Sequence, residues 1–104
     1  MAHNSKEMID NSLDEMARVF ARVEDVALIK GFFECLLTKN ELDEIASRWE
    51  LVKLIDAGMS QRKIAQKLGL SLCKITRGSK ELKKEGSAFA KFIEISKQIE
   101  QNGD

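Results

Sequence analysis

SQRKIAQKLGLSLCKITRGSKELKK, Ser60 to Lys84, is the stretch whose reading decides the fold. Ser60 is a good N-cap, because its hydroxyl can accept from an orphan N–H of the first helical turn. Ile64, Ala65 and Leu68 recur at helical spacing and give a first helix its apolar face. Gly69 stands where such a helix must end in the left-handed conformation that glycine enters cheaply. Ser71 then caps again, and Leu72, Ile75 and Leu82 supply the inner face of a second helix. Counted from Gln61, Ala is fifth, Gly ninth and Ile fifteenth, as a tight crossing of two helices requires. Two helices joined by a short Gly-containing turn form the unit that lays its second helix in the DNA major groove.

The distribution of charge agrees. Residues 60–84 hold eight Lys/Arg and one acid, a net +7, whereas residues 1–59 carry −5 and residues 85–104 carry −2. A chain neutral overall has gathered its positive charge in one block, the footprint of a phosphate-binding surface. The plainer alternative is a pair of solvated amphipathic helices. Gly78, within TRGS, falls where the inner face of the second helix should carry a bulky residue. Glycine inside a helix costs about 1 kcal/mol relative to alanine. Either a neighbouring helix packs closely there, or a ligand fills the slot.

Outside this block the pattern is helical throughout. A chain of 104 residues allows one domain or half of a shared one. Proline is absent, 43% of the residues are hydrophobic, and no alternating strand run occurs, so the expected class is all-α. Met1–Ser5 reads as frayed, and its His3 has no catalytic partner in view. From about Lys6 to Val26 one stripe (Ile9, Leu13, Met16, Ala17, Phe20, Val23, Ala27) predicts a long amphipathic helix. Gly31 interrupts, and Phe32–Leu37 reads as a short buried helix. Thr38 and Glu41 form a capping box. The helix after it runs to about Ala57 with Leu42, Ile45, Ala46, Trp49, Val52 and Ile55 on one face, Leu51 and Leu54 widening the stripe as in a central helix packed on several sides, and Gly58 ends it. Arg48 in its middle reads as a surface residue, an ion-pair partner or a ligand clamp. Gly86 and Ser87 open a last helix with Phe89, Phe92, Ile93, Ser96 and Ile99 inward. Helices 6–58 and 87–100 thus form a core and dimerisation part around the helix-turn-helix of 60–84. Six helices with apolar stripes at both ends of so small a chain point to an interlocked homodimer. Its two recognition helices would stand one DNA turn apart, about 34–36 Å, on a palindromic site.

Several classes are excluded on residue grounds. No nucleophile–base pair, phosphate loop or metal cluster is visible, so no enzyme is expected. Cys35 and Cys73 lack metal-ligand spacing and are expected as reduced thiols in a cytoplasmic protein. No stretch reaches the ~20 apolar residues of a membrane span, and no secretory leader is expected.

LLTKNELDEIASRWELVKLIDAGMSQRKIAQKLGLSLCKITRGSKELKK resembles the tryptophan repressor family, whose LTPDE-, MSQRE- and ITRGSN-like blocks come in this order. The match covers about Leu36–Lys84, and MSQRK with KITRGS is its specific part. The resemblance implies an intertwined all-helical homodimer of six helices per subunit. It would bind operator double-stranded DNA when L-tryptophan is bound as corepressor, and so repress tryptophan biosynthesis and uptake genes. Arg48 and Arg77 correspond to the arginines that sandwich the indole, since guanidinium planes stack on aromatic faces. Arg77 would also hold the ligand carboxylate, and Gly78 would line the slot. The backbone carbonyls of Cys35 and Leu37, with Thr38 beside them, correspond to the other subunit's segment around the ligand ammonium. On the DNA side, Gln61 and Arg62 match the entry of the first reading helix, and Leu72, Cys73 and Thr76 match residues facing the groove. Lys74, Lys83 and Lys84 would meet phosphates, and many base contacts would pass through water.

The chain departs from the family pattern in three places. Glu81 replaces a small residue, often serine, near the ligand ammonium, where it can pair with that group or reshape ligand choice. SKEL replaces SNSL, and one residue is missing before MSQRK, with Gly58 directly followed by Met59. Two other readings stay open: a ligand-independent helix-turn-helix protein of transposase- or sigma-like type, and a repressor answering to a different small molecule. A helical interaction protein without nucleic acid would show no steep salt dependence toward DNA.

Overall fold

The computed structural model describes residues 5–103, and His3 lies outside them. It is all-α, with six helices: α1 Lys6–Phe20, α2 Val26–Leu36, α3 Lys39–Asp56, α4 Gln61–Leu68, α5 Leu72–Lys83 and α6 Ala88–Gln101. The chain divides into two compact units, the first ending at Leu42 and the second starting at Asp43.

In the first unit, the Ser5 hydroxyl accepts from Met8 N–H and starts α1. α1 stops at Phe20, so the stripe expected to run unbroken to Val26 belongs to two helices. The reason is Asp25, whose side chain accepts from Leu28 N–H at 3.1 Å and starts a new helix. α2 then continues through Gly31 for 11 residues, longer than the two turns expected from Phe32–Leu37, and none of its residues is buried. Good helix formers on either side carry the chain past the cost of one glycine. Phe20 meets Phe32 edge-on and Phe33 at a tilt, with centroids 5.6 and 5.7 Å apart. The expected capping box is present: Thr38 N–H donates to Glu41 Oε1 at 2.8 Å, and Glu41 N–H to Thr38 Oγ1 at 3.2 Å. Donation to the Glu41 carboxylate by the Thr38 backbone N–H, and to a lesser degree by the Thr38 hydroxyl, stabilises its ionised form and holds its pKa below the usual 4.5.

In the second unit, α3, α4 and α5 enclose a small apolar core around Leu51 (2% exposed), Ile64 and Ile75 (both 0%). Leu54, Ile55, Met59, Ala65, Leu68 and Leu70 pack around them. α3 ends in a Schellman-type closure: Gly58, at φ 92°, donates to Ile55 C=O, and Met59 N–H donates to Leu54 C=O at 3.1 Å. That closure turns Met59 onto the core and brings Ser60 directly into its capping position. Ser60 accepts from Lys63 N–H at 3.2 Å and Ser71 from Lys74 N–H at 3.3 Å. Gly69, at φ 66°, joins α4 to α5 by donating to Ala65 C=O. Ser87 caps α6 through Ala90 N–H, and Lys97 of α6 pairs with Asp56 at 2.7 Å.

The inner faces differ from expectation at several positions. Ile45 and Ala46 of α3 are exposed, whereas Leu51 and Val52 of the same stripe are buried as expected. On α6 only Ile93 is buried, and Phe92 (63% exposed) and Ile99 face outward. Leu72 is likewise exposed, leaving Ile75 as the core residue of α5, with Leu82 partly covered. A single chain of this size has too little interior to cover every stripe it carries.

Candidate ligand cavity and basic face

α3 and α5 bring their charged side chains to one cavity of about 400 Å³, a usual size for a small-molecule site. Its apolar lining comes from Leu51, Val52, Leu70 and Phe89, and its polar lining from Asp43, Glu44, Ser47, Arg48, Lys74, Arg77 and Glu81. Helical spacing explains the membership. Lys74, Arg77, Gly78 and Glu81 fall at i, i+3, i+4 and i+7, which is one face of α5. Asp43, Glu44, Ser47, Arg48 and Leu51 do the same on α3.

Gly78 shows the close helix packing and also borders the cavity. It lines the cavity, and a Cβ built on it would stand 3.1 Å from Leu51 Cδ2 and 3.8 Å from Val52 Cγ2. The missing side chain lets α5 approach α3 closely beside the opening. Arg48 and Arg77 remain exposed, and among the described residues neither guanidinium has an ion-pair partner. Glu81 is partly buried and accepts from Lys84 Nζ at 3.0 Å through Oε1.

Four of the seven expected ligand residues, Arg48, Arg77, Gly78 and Glu81, thus line one cavity. Cys35, Leu37 and Thr38 lie in the first unit and are not among its lining. Lys74, expected only as a phosphate contact, lines the cavity too. Sequence reasoning passed over Leu51, Val52, Leu70, Asp43, Glu44 and Ser47, although the spacing from Arg48 points to most of the α3 residues. Nothing in the sequence pointed to Phe89.

The expected DNA-side residues are all exposed: Gln61 and Arg62 at the start of α4, and Leu72, Cys73, Lys74, Thr76, Lys83 and Lys84 on or next to α5. Thr76 Oγ1 lies 3.4 Å from Gln61 Oε1 and donates to it, tying the two helices at this surface. Cys35 and Cys73 are free and exposed. Among the described residues, no three His, Cys, Asp or Glu side chains gather as a metal site. No helix among them is long and apolar enough to cross a membrane.

Residues 11–97 match the family model described as Trp repressor protein. The chain belongs to the Trp repressor family. That family is one of regulatory repressors rather than enzymes. Among its curated members, a Trp operon repressor homolog of Chlamydia caviae is 32% identical over 90 residues, covering 86% of this chain and 89% of the relative. A homolog of the same name from Xylella fastidiosa is 30% identical over 74 residues (70% and 80%). One from Chlamydia trachomatis is 31% identical over 75 residues (71% and 80%). No solved structure gives a significant match. Membership extends the resemblance of Leu36–Lys84 into α1 and α6, where no motif stands out by eye.

Proposed function

We propose that this Trp repressor family member is a ligand-dependent transcriptional repressor of the cytoplasm. Two copies bind a palindromic operator when L-tryptophan occupies the cavity, and so control genes of tryptophan biosynthesis and uptake. The observation that carries the proposal is the double use of α5. One face of the helix walls a cavity with Arg77, Gly78 and Glu81, while Cys73 and Thr76 are exposed beside the capped start of α4. A ligand bound to that wall acts on the reading helix without an intermediary.

Arg48 and Arg77 flank the indole and Arg77 holds the carboxylate, the apolar lining takes the ring, and Cys35, Leu37 and Thr38 of a second copy complete the site. Exposed apolar side chains support the pairing of copies: Val26 (82% exposed), Leu13 and Leu28 in the first unit, and Phe92 and Ile95 on α6. Side chains of this size left in water favour association. Residues 1–104 then act as one domain completed by its partner. The mechanism is a population shift, in which the ligand holds the reading helices in the arrangement that DNA demands. Its leverage is limited to its differential affinity for the two states.

The test is the melting temperature of the purified chain against L-tryptophan, with L-phenylalanine as control. A ligand that binds only the folded state raises stability by mass action. A selective rise with tryptophan, accompanied by tighter operator binding, is expected. DNA affinity unchanged by tryptophan would instead indicate a ligand-independent helix-turn-helix protein.

A further inference from the structure

We propose that Glu81 makes the cavity selective for an effector carrying a protonated amine, and that this amine displaces Lys84 from the carboxylate on binding. The inference rests on the function proposed above and concerns the same cavity.

Arg77 and Glu81 stand one helical turn apart on the cavity face of α5, with opposite charge. Such a pair would ordinarily bridge, yet they do not, and Glu81 pairs with Lys84 instead. Sequence order favours this: at i,i+4 a pair with the acid N-terminal to the base is the stronger one, and Arg77–Glu81 runs the other way. The cavity wall therefore presents a free guanidinium and, one turn on, a carboxylate. A ligand bearing both an acid and an amine meets a partner of opposite sign for each.

Lys84 shows what Glu81 accepts. Its alkylammonium nitrogen lies 3.0 Å from Oε1, so the carboxylate already holds the group an amino-acid ligand would bring. Both side chains of that pair are about half exposed (63% and 45%), so it is lightly held and readily exchanged. A ligand amine in the cavity meets Glu81 beside the apolar lining of Leu51, Leu70 and Phe89, and burial beside such side chains strengthens a charge-assisted bond. A ligand with a carboxylate and no amine leaves Glu81 uncompensated, or still tied to Lys84. The other two acids of the lining, Asp43 and Glu44, are exposed on α3, whereas Glu81 is partly buried, so they discriminate less. Displacement also returns Lys84 to the basic block of residues 60–84.

The experiment is calorimetric titration of the full chain with L-tryptophan and indole-3-propionate, using the parent, Glu81→Gln, Lys84→Met and, as a charge control away from the cavity, Glu100→Gln. Melting curves confirm that each variant folds. The parent is expected to prefer L-tryptophan, and Glu81→Gln to reduce that preference by about tenfold, the scale of one charge-assisted bond. Glu100→Gln, exposed on α6 and outside the cavity lining, should leave the preference in place. Lys84→Met should tighten tryptophan binding, because no internal ammonium competes for Glu81. Tryptophan binding with an unchanged preference in Glu81→Gln, or weaker binding in Lys84→Met, overturns the inference and leaves the proposed function standing. Absence of binding by either ligand to the parent overturns both.

Discussion

Gly78 of α5 lies directly against Leu51 of α3, at a separation where an added Cβ would stand 3.1 Å from Leu51 Cδ2. That contact is tight, yet Leu51 also borders the cavity and has open space beside it. Gly78→Ala would gain about 1 kcal/mol of helix propensity and spend part of it pushing the Leu51 methyl toward the cavity. The expected result is a ligand-free melting temperature within about 5 °C of the parent, together with weaker tryptophan binding because the cavity has narrowed. The larger Gly78→Val should destabilise by roughly 1–3 kcal/mol through overpacking. Thermal melts with and without L-tryptophan check both. An undiminished tryptophan response in Gly78→Ala would place the ligand away from this wall.

Arg77 contributes little to the empty fold, since it is exposed and has no ion-pair partner among the described residues. Arg77→Ala should therefore melt close to the parent without ligand. Its tryptophan affinity should fall by about ten- to a hundredfold, as expected when a charged hydrogen-bond partner is lost. DNA binding should lose its dependence on tryptophan. Fluorescence anisotropy with labelled operator, at two tryptophan concentrations, measures this. A variant that responds like the parent would rule out Arg77 as the carboxylate clamp.

How much of this was legible beforehand depended on whether a feature is local. Ser60, Gly69, Ser71 and the Thr38–Glu41 box act on their own backbone within a few residues, so sequence alone placed the helix starts and stops there. The break between α1 and α2 is local too, but Asp25 as a cap was masked by an apolar stripe that runs through it in register. Gly31 was misread because a helix breaker in isolation is tolerated between strong helix formers. Phe92 and Ile99 read as core because their spacing is right. Helical spacing defines a face and says nothing about whether the covering surface belongs to the same chain. The cavity was half legible: TRGS and Arg48 marked two walls, while Phe89 reaches it only through the tertiary fold.

The basic block makes a quantitative demand on salt dependence. Each lysine that neutralises a phosphate adds close to one unit to the slope of log affinity against log salt. Lys83→Ala should lower the slope by about one unit across all DNA sequences, while Thr76→Ala should change sequence preference with little effect on the slope. Lys97→Ala, on α6 and already paired with Asp56, should leave the slope unaltered. Titrations between low and moderate salt test all three. A flat salt profile for the parent would remove DNA from the proposed function altogether.

One cap and one ion pair each make a small part of the stability depend on pH. Glu41 has its pKa lowered from 4.5, chiefly by the backbone bond from Thr38. Its contribution to stability is thus complete above that value and is lost as pH falls through the lower, folded-state value. Lys97 has its pKa raised from 10.5 by its hydrogen bond to Asp56 and by the charge of that carboxylate. That contribution is complete below 10.5 and is lost as pH rises through the higher folded value. Glu41→Ala should therefore lower the melting temperature at neutral pH, and the gap to the parent should narrow as pH falls below 4.5. Lys97→Met should show the mirror image, a gap at neutral pH that closes only in strong alkali. Melting curves from acid to alkaline pH give both profiles, and a Lys97→Met gap that never narrowed as pH rose far past 10.5 would show that packing, rather than the pair with Asp56, is what Lys97 contributes.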